Sequence, residues 1–133
     1  MAKAAAATPS RRRSSATRGA YYKSKTRRWL VARGFQCGDL EKVHYIWTSG
    51  RRMATKRDQF GADLLAVSAN RIVFIQVKGG QYARSSVAAA RRTFDQYTFP
   101  TTVTRWIVLW PWRGRRPTII ESRARGEWKE LSR

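Results

Sequence analysis

Gly61-Ala62-Asp63-Leu64-Leu65-Ala66-Val67-Ser68-Ala69-Asn70-Arg71-Ile72-Val73-Phe74-Ile75-Gln76-Val77-Lys78-Gly79-Gly80 is the stretch whose reading decides the fold. Its two apolar segments read as strands joined by a short polar turn. The polar residues fall at one end of the pair: Asp63 opens the first strand, and Gln76 and Lys78 close the second. Side chains alternate along a strand, so Gln76 and Lys78 share a face. With Ala69-Asn70 as a two-residue loop, position 68 faces 71 and position 63 faces 76, which brings an acid, an amide and an ammonium to one rim of the sheet. A longer loop slips the register and separates them.

Outward from this hairpin, both flanks are helical. Tyr22, Thr26, Trp29, Leu30 and Arg33 recur at three- and four-residue spacing, predicting a helix from about Gly19 to Arg33 with Gly34 as its stop. Lys23, Lys25, Arg27 and Arg28 lie off that stripe. Downstream, Gly79-Gly80 breaks the strand, and Val87, Ala90, Phe94 and Tyr97 give a second stripe ending before Pro100. Between the first helix and the hairpin, Val43, Tyr45 and Trp47 alternate, which predicts a strand with one buried face within Phe35 to Thr48. Ser49 to Arg57, with Arg51, Arg52, Lys56 and Arg57, is expected to be a basic loop entering the Asp63 end of the hairpin. Thr104 to Trp110 is a buried strand closed by Pro111, Thr118 to Glu121 a short edge strand, and Arg123 to Arg133 at best weakly helical. No internal repeat is found. The order helix, three strands, helix, strand is that of an α/β or α+β sandwich, and the α/β reading is taken, with a central mixed sheet of about four to five strands flanked by two helices. It divides into a disordered basic arm (1–18), a domain (19–122) and a basic tail (123–133).

At 133 residues, with 42% hydrophobic content, one core is expected. Charge is the extreme quantity: 28 Lys and Arg against 8 Asp and Glu, a net +20. Nine of the bases lie in residues 1–28, which hold no acid, so the remainder still carries 19 bases against 8 acids. A folded body with that excess seeks a polyanion, nucleic acid first and an anionic membrane second. No apolar run approaches a membrane span. Cys37 and His44, one of each, make no disulfide and no zinc set, and no Ser-His-Asp or Cys-His nucleophile is read from them. Ala4 to Ala7 is too short for a signal-peptide core and is followed by Arg11-Arg12-Arg13, so an intracellular, reducing location is expected. No glycine-rich phosphate loop opens a helix.

What remains is the acid, amide and lysine at the strand end. Phosphodiester hydrolysis uses a metal to polarise phosphate and activate water, and Mg²⁺ is held by one or two carboxylates plus waters and substrate oxygens. Asp63 supplies a carboxylate, Gln76 a carbonyl oxygen and Lys78 a positive charge beside the phosphate.

An acid at the start of one strand, a hairpin, then (Asp/Glu)-x-Lys closing the next resembles the PD-(D/E)xK nuclease superfamily. The helix ending Arg33-Gly34-Phe35, followed by Gly61 to Val67 and Ile72 to Lys78, is similar to the archaeal-type Holliday junction resolvases and their viral relatives, over roughly residues 19–110. The resemblance implies a restriction-endonuclease-like core and a homodimer that resolves four-way DNA junctions by paired nicking with Mg²⁺, or Mn²⁺ in its place. The cell's cytoplasm or nucleoid, that of a virus's host included, would be its place of action. Asp63, Gln76 and Lys78 would be catalytic, with Asp63 and Gln76 on the metal. Two positions depart from the pattern: Gln76 stands for the second acid, and Lys23 stands near the place of a helix glutamate. Asp58 restores a carboxylate to the metal set if its loop folds back, with Asp39 and Glu41 as further candidates. DNA contacts are expected from Arg11, Arg12, Arg13, Lys23, Lys25, Arg51, Arg52, Lys56 and Arg57. Of the aromatic residues, Trp29, Trp106 and Trp110 are expected in the core and Trp112 outside it. The missing acids motivate a second class, a catalytically inactive nucleic-acid-binding module on the same scaffold.

Overall fold

The structure, a computed structural model, describes residues 15–131. In chain order it runs α1 (Ser15–Ala32), β1 (Gln36–Asp39), β2 (Lys42–Thr48), β3 (Arg51–Arg57), β4 (Leu64–Val67) and β5 (Ile72–Gly79). A 3-10 turn (Ala83–Ser86), α2 (Val87–Asp95), β6 (Val103–Trp110), β7 (Thr118–Ala124) and β8 (Glu127–Leu131) complete it. Six strands form one mixed sheet in the order β1-β4-β5-β6-β7-β8, and β2 pairs only with β3. All neighbours in the main sheet are antiparallel except β5 and β6, which α2 joins as a parallel crossover.

The central hairpin takes the predicted register, Leu64 opposite Ile75 and Val67 opposite Ile72, with the Ser68 N–H donating to the Arg71 carbonyl at 2.9 Å. Alternation then sorts side chains to two cores. Val73, Ile75, Trp106, Val108 and Trp110 meet Tyr22 and Leu30 of α1 on one face. Ile107, Leu109 and Ile120 meet Val87, Ala90 and Phe94 of α2 on the other. Trp106 and Trp110 are buried, as the apolar run Thr104 to Trp110 demands, whereas Trp29 is half-buried and Trp112 exposed.

α1 stops where Gly34 adopts φ +90°. The Phe35 N–H donates to the Leu30 carbonyl and the Gly34 N–H to that of Val31, closing the last turn. Farther up the helix, Tyr22 lies flat on the backbone of Gly79, so that an added Cβ would fall within its ring. Gly79→Ala must displace either the tyrosine or the strand end, and is expected to lower stability by about 2 kcal/mol. Urea denaturation checks this, and unchanged stability would contradict the packing.

Several expectations are corrected. The helix begins at Ser15, inside the span assigned to the disordered arm, and residues 1–14, with Arg11, Arg12 and Arg13, lie outside the described residues. Phe35 to Thr48 is two strands and not one. Its alternating part, Val43, Tyr45 and Trp47, buries no face: every residue of β2 is exposed. The basic loop is a strand, because Ser49 (φ +52°) and Gly50 (φ +75°) make a tight turn that sends β3 back along β2. The sheet has six strands instead of four to five, since β7 runs on to Ala124 and β8 pairs with it where a weakly helical tail was expected. Trp128 anchors β8 by packing on Phe94. No helix among the described residues is long and apolar enough to cross a membrane.

Candidate metal centre

The first turn of backbone around Asp63 explains how acids meet. The Asp63 N–H donates to the Ile75 carbonyl (2.8 Å), and its own carbonyl accepts from the Leu40 N–H (2.9 Å). The residue is thereby clamped between the end of β5 and the chain leaving β1. Its Oδ2 accepts the Val77 N–H at 2.9 Å. Upstream, the Ala62 N–H donates to the Gln59 carbonyl across a turn whose central residues, Phe60 (φ +55°) and Gly61 (φ +77°), are both left-handed. Phenylalanine rarely takes that conformation. Here its ring is held edge-on against Phe74 (6.1 Å) and Tyr97 (5.8 Å). A Cβ added at Gly61 would meet Thr93 at 3.2 Å and the Phe94 backbone of α2 at 3.4 Å. The turn folds Asp58 back toward Asp63.

Ligand oxygens of Glu41, Asp58 and Asp63 consequently lie within 4.8 Å of one another. Glu41 and Asp63 are half-buried and Asp58 is exposed. Burial pushes the Asp63 carboxyl up to about 7; a hydrogen bond with Asp58 and the charges of Asp58 and Glu41 add to this, against the Val77 N–H. The Asp63 carboxyl is therefore partly protonated at neutral pH, and a bound cation would displace that proton. Carboxylate oxygens of Glu41, Asp58 and Asp63 at this spacing could hold a metal ion.

Lys23 stands where the resemblance places a helix acid, and the arrangement is inverted. Its ammonium reaches Glu41 at 2.9 Å and Asp39 at 3.2 Å. Burial works against its charge, but these two carboxylates outweigh it and raise its pKa. The helix thus supplies a cation that holds a carboxylate delivered from the end of β1. Asp39 turns away to Lys23 and Arg27 and does not join the cluster.

Gln76 is buried, and the groups at one end of its amide, the Gly61 carbonyl and Asp58, are acceptors while those at the other end are donors. The amide nitrogen therefore points to the Gly61 carbonyl (2.7 Å) and to Asp58 Oδ2 (3.1 Å). In that orientation it steadies Asp58, where its carbonyl oxygen was expected on the metal. Gln76→Glu would set a carboxylate against two acceptors. It is expected to cost about 1–3 kcal/mol at pH 8, and less at pH 5, where the new acid, its pKa raised by that contact, is largely protonated. Equal stability of variant and parent at pH 8 in urea titrations would contradict the orientation.

Lys78 lies two residues on, on the face of Gln76 and opposite Leu109. Among the described residues no hydrogen bond or ion pair engages its ammonium. Of the expected DNA contacts, Lys25 is half-buried over the Trp110 ring (4.5 Å) and donates to the Gly114 carbonyl (3.0 Å), and Lys23 is tied to the acids. Arg51, Arg52 and Arg57 are exposed on the β2–β3 hairpin, and Lys56 is paired with Val43 in it. Sequence reasoning ranked Glu41 too low. Its signal was the strand ending before Leu40, whose pairing with β4 sets position 41 beside Asp63. No protein-family model, curated protein or solved structure matches the chain, so the reading of the site rests on its own geometry and chemistry.

Proposed function

We propose that the chain is a divalent-metal-dependent DNA endonuclease selective for branched DNA, four-way junctions above all, on the restriction-endonuclease-like plan of the PD-(D/E)xK nucleases. The observation that carries this reading is the convergence of Glu41, Asp58 and Asp63 at one end of the sheet in a chain of net charge +20. A carboxylate cluster on a strongly basic body suits phosphodiester chemistry. The body draws in the polyanion, and the acids offer it a place for a cation.

In this reading Asp63, Glu41 and Asp58 hold Mg²⁺, or Mn²⁺ in its place. When bound, the ion would supply polarisation of the phosphate and a lowered pKa for the attacking water. Gln76 keeps Asp58 in position, and Lys23 does the same for Glu41. Asp63 gives up its proton on loading. Lys78, at the same end of β5, offsets the negative charge that grows on the phosphate. Beyond it, the turn after β6 carries exposed Arg113, Arg115 and Arg116, and on the other flank stand the bases of the β2–β3 hairpin. These two groups would receive backbone phosphates on either side of the acids. Paired incision of a two-fold substrate further requires a homodimer, which sedimentation at assay concentration would test.

The substrate class is tested with labelled four-way junction, linear duplex and single strand in Mg²⁺. Cleavage of the junction ahead of the duplex is expected, and loss of that preference would refute the selectivity. Gln76 in place of an acid favours the second reading, an inactive nucleic-acid-binding module. Tight, salt-sensitive binding with no cleavage of any substrate would establish that reading instead.

A further inference from the structure

The β2–β3 hairpin is the part of the molecule that the carboxylate cluster does not use and that packing does not explain. It pairs with no strand of the main sheet. Two-stranded hairpins are marginal in water unless one face is covered. Yet Tyr45, Ile46, Trp47 and Met53 are all exposed, Trp47 to 72%. Residues 42–57 contain five Lys and Arg and no acid. The register places Val43, Tyr45, Trp47, Arg52 and Ala54 on one face, and the Arg52 guanidinium lies 4.6 Å from the Tyr45 ring centroid. Both roots of the hairpin run directly into the cluster, Lys42 following Glu41 and Arg57 preceding Asp58.

We infer that this hairpin is a nucleic-acid arm whose Tyr45, Trp47 and Arg52 face stacks on unpaired bases beside the carboxylate cluster. Alternating rings and guanidinium groups on an all-positive strand pair suit a nucleic-acid strand, whose bases offer flat π-faces between phosphates. A second copy of a chain with net charge +20 is the poorer occupant, because like charges would meet. The arm also carries a length. Trp47 is six residues from Glu41, at most ~20 Å along an extended strand. A base stacked there lies no more than about six nucleotide steps from the acids.

The inference rests on the proposed DNA substrate, but its test is independent of cleavage. Fluorescence anisotropy in EDTA would compare a labelled duplex with the same duplex carrying an unpaired bubble. Trp47→Ala is expected to lose about tenfold affinity for the bubble and under about twofold for the duplex, with Trp47→Phe recovering most of it. Quenching of the parent's tryptophan emission should be larger for the bubble and should shrink in the variant. Equal losses on both DNAs, or none, would overturn the inference. So would a dimer that Trp47→Ala dissolves while bubble affinity stays unchanged, since the second copy would then be the occupant. Bubble-selective loss in a chain that cuts nothing would leave the arm standing and remove the nuclease. Undiminished bubble binding by a variant that still cuts would do the reverse.

Discussion

Asp63→Asn is expected to reduce Mg²⁺-supported cleavage by roughly a thousandfold while making the metal-free protein more stable at pH 8. Both effects have one cause. The Asp63 carboxyl is held at about 7, chiefly by burial and then by the hydrogen bond and charge of Asp58 and the charge of Glu41. Ionising it in the fold therefore costs on the order of 4 kcal/mol relative to the open chain. An asparagine keeps an oxygen for the Val77 N–H and turns an amide toward Asp58, without a third charge. A gain of about 1–3 kcal/mol in urea denaturation in EDTA is expected, beside a loss of incision. Loss of stability in the variant would show that Asp63 is a structural acid. Undiminished cleavage would remove it from the site.

The second large effect couples pH to metal. The folded pKa of Asp63 lies above its unfolded value, so the folded state binds more protons between about pH 4 and pH 7. Stability of the metal-free protein is then expected to fall as pH rises through that window and to level off above about pH 8. Asp39 and Glu121 act lower. Burial pushes both upward, but Lys23 and Arg27 around Asp39, and Trp106, Arg123 and Arg71 around Glu121, hold them below the usual carboxylate range. Their contribution is lost only on acidification below about pH 4. Saturating Mg²⁺ or Mn²⁺ is expected to raise Tm by roughly 5–10 °C at pH 8. The rise should be smaller at pH 6, where the ion competes with the Asp63 proton. Calorimetry at the two pH values with and without metal checks the sign. A Tm indifferent to both ions at pH 8 would mean that the cluster holds no metal.

The parts of this protein legible in its sequence are those set by short-range alternation. Leu64 falls opposite Ile75 and Val67 opposite Ile72 because Leu64 to Val67 and Ile72 to Val77 each have one register that buries their apolar residues. Trp106 and Trp110 follow from the apolar run that contains them, although that run also buries Arg105, whose terminal nitrogens reach Asp95 and Ser122. The β2–β3 hairpin was misread because alternation indicates a face and not what covers it. Val43, Tyr45 and Trp47 have the pattern of a half-buried strand and lie on open surface. The Ser49-Gly50 pair, both residues at positive φ, is the local mark of its turn.

The acid cluster was legible only in part because its members meet through non-local geometry. Asp58 depends on a left-handed Phe60 held by Phe74 and Tyr97. Glu41 depends on β1 pairing with β4 and on a lysine from α1. Gln76 has acceptors, the Gly61 carbonyl and Asp58, at one end of its amide and donors at the other, a setting that only the folded chain reveals.

Incubating the purified chain with an end-labelled four-way junction, in Mg²⁺ or in EDTA and beside Asp63→Asn, tests the central claim most directly. Paired nicks near the branch are expected in Mg²⁺ alone, and none in EDTA or with the variant. Intact junction with every divalent ion tried, or nicks that Asp63→Asn leaves undiminished, would contradict it.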